Sequence, residues 1–258
     1  MARYKLTLEY EGTRYSGWQV QQNARTVQGE LLEAAWNAFG TKDLELMGSG
    51  RTDAGVHALG QVAHLEVRSQ LDPRVIRMRL NDGLPADINV LDVSIAHPRF
   101  HARHHAVSRT YLYQISRRRT AFGKRYVWWI KDPLDVEAMA DACDVFQGFH
   151  DFRSFTKDDP DEKSTTVELQ ECYVAEAGDL ILMRIRGSHF LWRMVRQMVG
   201  MIANVGRGAS SVDDLRELLR KASSLPATVT APPSGLFLEH VAYDDEDLPP
   251  EIIPTIRI

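Results

Sequence analysis

One loop of the chain gathers side chains that could do chemistry around a single carboxylate. The loop reads Gly48-Ser49-Gly50-Arg51-Thr52-Asp53-Ala54-Gly55-Val56-His57-Ala58. Its three glycines permit a tight turn, and apolar runs on both sides predict that it joins two strands. Asp53 is its only acid. An aspartate that merely caps its own turn is the simpler alternative, but Arg51 and His57 favour a functional role because a turn needs neither.

A second group of candidate side chains follows the segment Ser108–Tyr113. Alternation along a strand places Arg109, Tyr111 and Tyr113 on one face. Such a face suits a platform for a nucleic-acid base with phosphate contacts beside it. Tyrosines half-buried beneath a sheet edge would show the same alternation, so periodicity alone leaves both interpretations open.

Arg196 lies in the middle of a predicted helix, residues 190–205, that is apolar almost all round and contains no acid. A buried guanidinium keeps its charge and needs an anion. We therefore expect a partner that is distant in sequence or belongs to a ligand, and Asp53 is a candidate. The alternative, a side chain that extends to solvent, fits Arg193 better than Arg196.

Basic and acidic side chains are segregated along the chain, although the net charge is −4 and the pI about 6.1. Residues 97–125 carry eight Lys or Arg and no acid, and residues 184–207 carry five Arg and no acid. Acids concentrate at 157–162 and 244–247. Separated basic stretches are typical of a surface for polyphosphate, whereas a solvated surface would mix the signs. The side chains that we predict to contact nucleic acid are Arg103, Arg109, Arg117, Arg118 and Arg119.

Composition places the chain among ordinary globular proteins. Its 258 residues can form one large domain or two small ones. Cys143 and Cys172 lie in apolar patterns, as expected for buried thiols of a reducing compartment. No apolar run could span a bilayer and the N-terminus begins directly in a strand pattern, so we expect a cytoplasmic protein that does not bind membranes. The histidine-rich segment 101–105 lacks cysteine and carboxylate ligands, and phosphate-binding glycine motifs are absent. We therefore assign no metal and no cofactor.

The predicted elements of the first half follow the order β-α-β-β-α-β, a split βαβ arrangement. The second half resembles a diverged version of it. Its predicted strands cover 107–116, 125–130, 167–175, 180–185 and 235–243, and its helices begin at Asp135, Phe190 and Ser211. We predict an α+β protein whose two halves, 1–106 and 107–243, share a mixed, mainly antiparallel sheet flanked by helices. Residues 244–258 are predicted to form a loosely held acidic tail.

The loop around Asp53 resembles the signature of the tRNA pseudouridine synthase A family. The resemblance continues in order through Phe100-His101-Ala102-Arg103, Arg109–Tyr113, His150-Asp151-Phe152, Phe190–Gly200 and Ala231–Leu236. It covers nearly the whole chain up to the acidic tail. The departures are Gln197, where family members often have Asn, the pair Ser188-His189, and the tail itself.

The resemblance implies the pseudouridine synthase fold, with two ferredoxin-like halves and an active-site cleft between them. It implies a homodimeric isomerase, bridged by its tRNA, that converts uridine to pseudouridine at positions 38, 39 and 40 of the anticodon stem-loop without a cofactor. Carried over to this sequence, Asp53 is the nucleophile, and Arg51 holds the extruded nucleotide. Tyr111 packs on the uracil and takes part in proton transfer, and Arg196 keeps Asp53 ionised. This agrees with the need for a nucleophile in breaking a glycosidic bond and for an extruded base. Whether Asp53 attacks the ring or the sugar stays open.

Two other classes of function stay open on the residues alone. One is a non-catalytic structured-RNA-binding protein in which Asp53 is only a turn residue. The other is a metal-assisted nuclease, for which a single carboxylate supplies too few ligands. Formation of pseudouridine, or cleavage of the RNA, in the presence of EDTA would distinguish all three.

Overall fold

The structure, a computed structural model, describes residues 1–157, 164–244, 248 and 251–257. Its contacts separate two units. The first contains Met1–Val107 and, of the described residues, 237–244; the second contains Ser108–Leu236 and the described residues from 248 onward. No helix in these ranges is both long and apolar enough to cross a membrane. The acids at 158–162 and 245–247, which the sequence marks as compensating charge, lie outside the described residues. The predicted boundaries after residues 106 and 243 stay a prediction.

The first unit has the predicted β-α-β-β-α-β order. Its elements are β1 (Ala2–Tyr10), α1 (Val27–Phe39), β2 (Leu44–Gly48), β3 (His57–Val67), α2 (Pro73–Gly83) and β4 (Ile88–Ile95). The side chain of Thr26 caps α1 and that of Asp72 caps α2, each accepting a backbone N–H of the first turn. Both starts were predicted, because capping depends on local chemistry that a sequence displays.

The second unit contains more elements than the sequence predicts. They are β5 (Ser108–Ser116), β6 (Trp128–Trp129), α3 (Val136–Phe146), β7 (Gly148–Asp151), β8 (Thr166–Ala177), β9 (Leu180–Gly187), α4 (Met194–Gly206), α5 (Val212–Arg220) and α6 (Leu225–Thr228). The last strand, β10 (Leu236–Ala242), follows them. Strand β7 was not predicted. Strand β6 is much shorter than the predicted 125–130, because a turn closed by the Tyr126 N–H on the Gly123 carbonyl occupies the segment before it.

Strand β3 is the centre of the first unit's sheet. One of its edges pairs antiparallel with β1, which pairs antiparallel with β4. The other edge pairs with β2 through the C-terminal half of β3 and, in parallel, with β10 through His57 and Ala58. The loop that carries Asp53 therefore leaves from β2 and returns to β3 at the point where β10 joins.

The second unit's sheet has the order β5-β9-β8-β7, with antiparallel neighbours throughout and β6 parallel to β5. Helix α3 packs against β8 and α4. Phe146, Phe152 and Phe155 form a fully buried cluster with ring centroids 5.2–6.1 Å apart. The α+β class with mixed, mainly antiparallel pairing and flanking helices is confirmed.

The described part of the C-terminal tail packs against the second unit. The Gln114 side chain bonds both the hydroxyl and the amide of Thr255, at 2.7 and 2.8 Å. Arg184 donates to the Glu251 carbonyl at 3.3 Å, and Ile252 is buried. Gln114 and Arg184 are themselves buried and require polar partners. The prediction of a loosely held tail is therefore wrong for residues 251–255.

Candidate active site and RNA-binding residues

Asp53 lies in the loop that connects β2 to β3. Its carbonyl accepts the N–H of Val56 at 3.1 Å, which closes a turn immediately after it. Thr52 is buried, whereas Asp53 is half-buried and Arg51 is exposed. The loop thus anchors the residue between the two candidate side chains and leaves both of them accessible to a substrate.

A buried glutamine on β3 supports the first part of this loop. Gln61 is fully buried. Its Oε1 accepts the Ser49 hydroxyl at 2.7 Å, and its Nε2 donates to the Gly50 carbonyl at 3.2 Å. Both ends of the amide are therefore satisfied by the loop, as a buried amide requires. The backbone that leads to Asp53 is held to β3 by these bonds.

The segment between β1 and α1 holds the loop on both sides of Asp53. The Trp18 N–H donates to the Thr52 carbonyl at 3.1 Å, and the Gly55 N–H donates to the Tyr15 carbonyl at 3.3 Å. The hydroxyls of Tyr10 and Thr52 bond at 2.8 Å. These contacts hold the backbone on both sides of Asp53. The position of Asp53 is therefore fixed by hydrogen bonds of the neighbouring residues as well as by its own interactions.

Gly17 is required for these contacts. Its φ of 91° lies in the left-handed region that favours glycine. A Cβ there would also lie 2.5 Å from the Thr52 carbonyl oxygen. Any side chain at position 17 would therefore push the loop that carries Asp53 away from the segment that holds it.

His57, whose presence favoured a functional role for the loop, packs inside the first unit. It is buried, its ring stacks on Phe237 with centroids 4.7 Å apart, and its Nδ1 accepts the Gly12 N–H at 3.0 Å. Because Nδ1 accepts, the neutral ring carries its proton on Nε2. His57 therefore ties the start of β3 to the same segment between β1 and α1.

Sequence reasoning missed most of this support. It did not single out Tyr10, Tyr15, Trp18 or Gln61. The hydroxyl of Tyr15 donates to Asp87, and burial and that carboxylate raise its pKa well above the ordinary value. The available signal was the glycine pair at positions 12 and 17 next to two aromatic residues, which is unusual between a strand and a capped helix.

Tyr111 belongs to the second unit, on β5. Its ring contacts Phe190 edge-on, with centroids 5.1 Å apart and planes at 90°. It is half-buried. The ring is thus held in one orientation by an aromatic neighbour while part of it stays accessible, as a base platform requires.

Tyr113, two residues further along the same face, does not form part of such a platform. It is fully buried, and its hydroxyl donates to the Pro232 carbonyl at 2.9 Å. Burial raises its pKa well above the ordinary value, and the positive charge of Arg196 offsets this in part. Tyr113 shares the face of Tyr111, but the turn at Pro233–Gly235 covers its ring. Of the two interpretations left open for this face, burial therefore applies to Tyr113.

Arg196 occupies the first turn of α4 and not the middle of a longer helix. The helix begins at Met194, because Arg193 has a left-handed backbone conformation. The Nε of Arg196 donates to the Ala231 carbonyl at 2.8 Å, while its own carbonyl accepts the Ala231 N–H at 3.0 Å. Arg196 is half-buried. Its pairing with Asp53 stays a prediction.

The other predicted RNA contacts divide between the units. Arg103 is exposed in the first unit. In the second, Arg109 donates to the Ser188 carbonyl at 2.9 Å. Burial, with Arg109 as a secondary cause, lowers the pKa of the neighbouring His189.

The three consecutive arginines after β5 are exposed but not clear of acids. Arg117 pairs with Glu176, and Arg118 pairs with Asp179 at 2.8 Å. Arg119 lies over the Trp129 ring at 5.8 Å. Glu176 lies near the end of β8 and Asp179 in the turn between β8 and β9, and the sequence of the basic stretch indicates neither contact. Phe122, in the same loop, is 98% exposed.

The chain between β9 and α4 presents an exposed aromatic–cation pair. The Arg193 guanidinium lies over the Trp192 ring at 4.8 Å, and Trp192 is 47% exposed. Arg193 has φ 60° and ψ 8°. That conformation costs a non-glycine residue about 1–2 kcal/mol.

In the described part of the chain, His, Cys, Asp and Glu side chains form no group of three that could hold a metal ion. In the histidine-rich segment, His101 and His105 use Nδ1 to accept backbone N–H groups of the segment itself. These ring nitrogens therefore stabilise a turn.

Comparisons with known proteins agree with the resemblance. Residues 7–104 and 142–244 match the family model described as tRNA pseudouridine synthase. A protein of Maridesulfovibrio salexigens named tRNA pseudouridine synthase A is 39% identical over 249 residues, which cover 95% of this chain and 92% of that protein. Proteins of the same name from a Geobacillus species and from Rhodopseudomonas palustris are 40% and 41% identical, over 94% and 95% of this chain and 99% and 100% of their own lengths. With matches that extend over most of both partners' lengths, this chain belongs to the tRNA pseudouridine synthase family.

Proposed function

We propose that this protein isomerises uridine to pseudouridine in tRNA, with Asp53 as the nucleophile. The observation that carries the proposal is the position of Asp53. It is the only acid of its loop, and hydrogen bonds to Thr52 and Gly55 hold the backbone on both sides of it. Such preorganisation serves a group that must meet a reacting atom in one orientation.

The reaction needs little besides positioning. Uridine and pseudouridine are isomers, so the C–N glycosidic bond that breaks is replaced by a C–C bond, and the proton that leaves carbon is balanced by one gained at nitrogen. No oxidant, reductant or second substrate is consumed. Attack of the Asp53 carboxylate on the ring would bind the base to Asp53, and attack on the sugar would bind the ribose. In either case the C–N bond breaks, the base rejoins the sugar through carbon, and the bond to Asp53 breaks to restore the carboxylate.

Three further side chains receive roles in this proposal. Arg51, exposed beside Asp53, holds the nucleotide after its base has left the stack, a step that such chemistry requires. Tyr111 packs on the uracil, since its ring is oriented by Phe190 and partly accessible, and its hydroxyl takes part in proton transfer. Arg196 stabilises the negative charge of Asp53 in the closed complex.

The finer assignments also belong to this proposal. Positions 38, 39 and 40 of the anticodon stem-loop are the proposed targets, a homodimer bridged by tRNA is the proposed assembly, and the cytoplasm is the proposed location. The target positions and the assembly follow from the family resemblance, and the location follows from the composition of the chain. Mapping pseudouridine by position in a tRNA pool tests the first, and light scattering with and without tRNA tests the second.

The decisive experiment replaces Asp53 with Asn. Asp53→Asn keeps the shape of the side chain and removes the nucleophile, so pseudouridine formation from unmodified tRNA should be lost while tRNA affinity stays close to wild type. Asp92→Asn, an exposed acid on β4 of the same unit, is the control and should keep full turnover. Each assay is run both with and without EDTA.

Each outcome separates the candidate functions. Turnover near the wild-type rate in Asp53→Asn would end the nucleophile assignment. A wild-type protein that binds tRNA but forms no pseudouridine would be the non-catalytic RNA-binding protein. Cleaved RNA that disappears with EDTA would indicate a nuclease.

A further inference from the structure

We propose that Trp192 and Arg193 form a stacking site for a second nucleotide of the tRNA, one adjacent to the uridine that is isomerised. The base stacks on the exposed part of the indole, and the Arg193 guanidinium contacts the phosphate of that nucleotide. This inference rests on the proposed function and concerns how the substrate is held, not the chemical step.

The pair is connected to Tyr111 through Phe190, within the second unit. Phe190 contacts the Tyr111 ring edge-on at 5.1 Å, and Trp192 follows two residues later. Because consecutive Cα atoms are 3.8 Å apart, the Trp192 backbone lies within about 7.6 Å of that of Phe190. If a base packs on Tyr111, the next nucleotide of the RNA is therefore within reach of the Trp192 indole.

The chemistry of the pair suits RNA. Tryptophan usually buries most of its surface, yet Trp192 is 47% exposed, with a guanidinium 4.8 Å from the centroid of its ring. Aromatic rings that accept bases, next to arginines that accept phosphates, are the usual means of binding unpaired nucleic acid. Residues 184–207 contain no acid that would repel a phosphate.

The backbone of Arg193 supports a role beyond folding. Among the described residues only Asn23 and Arg193 have a positive φ without being glycine. Asn tolerates this conformation well, whereas arginine does not. The Arg193 side chain makes no capping hydrogen bond to α4. Glycine would thus be the better residue for the fold, and a side chain kept against backbone strain is typical of binding sites.

Arg193→Gly separates the two roles. It relieves the left-handed strain, so the melting temperature should stay the same or rise. Removal of one phosphate contact should weaken tRNA binding and lower the slope of log affinity against log salt by about one. The tRNA concentration that gives half of the maximal single-turnover rate should rise by the same factor as the dissociation constant. Asn23→Gly is the matched control at the other left-handed position and should change neither affinity nor slope.

Variants of Trp192 test the stacking. Trp192→Ala should weaken tRNA binding about 5- to 150-fold, the range for loss of one base–aromatic contact, while Trp192→Phe should stay within a few-fold of wild type. Quenching of tryptophan fluorescence by tRNA should decrease in Trp192→Phe. The matched control is Trp36→Phe, since Lys42 lies 5.1 Å from that ring in the same kind of pair; it should leave the quenching unchanged.

The opposite results would overturn the site. Affinity within two-fold of wild type in folded Trp192→Ala, or an unchanged salt slope in Arg193→Gly, would show that the pair faces solvent in the complex. A fall in the saturated rate with unchanged affinity would place the pair in catalysis instead. If wild type binds tRNA but forms no pseudouridine, the proposed function fails while these binding measurements still decide the stacking site.

Discussion

Tyr111 and Tyr113 lie two residues apart on one face of β5, yet their environments differ. Tyr111 is half-buried and packs against Phe190, whereas Tyr113 is fully buried and donates its hydroxyl to the Pro232 carbonyl. Alternation predicts that the two rings share a face, but it cannot show that a turn from residues 233–235 covers one of them. This pair therefore offers an internal comparison for the role of the hydroxyl.

Tyr111→Phe keeps the ring and should leave tRNA affinity nearly unchanged. If the hydroxyl takes part in proton transfer, the single-turnover rate should fall roughly 10²- to 10⁴-fold. Tyr113→Phe is the matched control: it removes the hydrogen bond that the buried Tyr113 hydroxyl donates to the Pro232 carbonyl, which costs about 1–2 kcal/mol of folding stability, and should not change the rate. A wild-type rate in Tyr111→Phe would reduce Tyr111 to a stacking platform.

Asp53 is the candidate that the sequence marks most clearly, because glycines and unusual polar neighbours distinguish its loop. Gln61 and Trp18, which hold that loop, could not be identified in the same way. Each looks like an ordinary strand or loop residue, and its function depends on a contact made across the fold. Local composition shows where a chemical group is, and tertiary contacts show what keeps it there.

At the scale of elements, α4 shows what hydrophobic periodicity can and cannot predict. The apolar pattern correctly predicts a buried helix that reaches residue 205. The same pattern continues back to Phe190, but the helix begins only at Met194 because Arg193 is left-handed. A backbone conformation of this kind leaves no trace in periodicity. The consequence is that Arg196 lies in the first turn, beside residue 231.

The basic loop after β5 gives a prediction about salt dependence. Exposed ion pairs such as Arg117–Glu176 and Arg118–Asp179 contribute only about 0–1 kcal/mol, so phosphates can replace the carboxylates. If the loop contacts tRNA, the triple replacement of Arg117, Arg118 and Arg119 by Ala should lower the log–log salt slope by up to about three, one for each phosphate contact.

The two acids that pair with these arginines, Glu176 at the end of β8 and Asp179 in the turn after it, provide the matched control for this loop. Glu176→Gln with Asp179→Asn removes the competing carboxylates while leaving the arginines, and should strengthen tRNA binding at low salt. Affinity measured from 50 to 300 mM salt reports both variants (roughly the range over which phosphate contacts are screened). If neither variant changes affinity or slope, the loop lies outside the tRNA interface.

At the scale of the whole molecule, the sequence predicts the order of elements within the first half and the mixed α+β class. Both depend on capping residues and on strand alternation over short distances. The return of β10 to the first unit is different, since only His57 and Ala58 pair with Phe237 and Leu238. Two residue pairs between segments so distant in sequence produce no local sequence pattern from which the pairing could be predicted. The packing of Thr255 on Gln114 was missed for the same reason.

The stability of the whole fold should depend on pH through His64. This side chain is buried, its Nδ1 accepts the Ala102 N–H at 3.1 Å, and its ring lies 4.9 Å from that of His101. Burial, followed by the charges of His101 and Arg3, lowers its pKa to about 4. The unfolded chain, with an ordinary histidine pKa of about 6.5, therefore binds the proton first as the pH falls.

The sign of the effect follows from this depressed pKa. Above pH 6.5 His64 is neutral in both the folded and the unfolded state, so its full contribution to the free energy of unfolding is present. As the pH falls from about 6.5 to 4, the unfolded state takes up the proton first, and the free energy of unfolding decreases by about 3 kcal/mol. His64→Asn keeps an acceptor near the Ala102 N–H and removes the titration. In urea unfolding at pH 7, 5.5 and 4.5, wild type should lose free energy of unfolding more steeply than His64→Asn. His97→Asn, an exposed histidine of the same unit, should follow wild type. Parallel curves for wild type and His64→Asn would mean that His64 binds its proton equally well in both states, and the acid sensitivity of the fold would have to come from other groups.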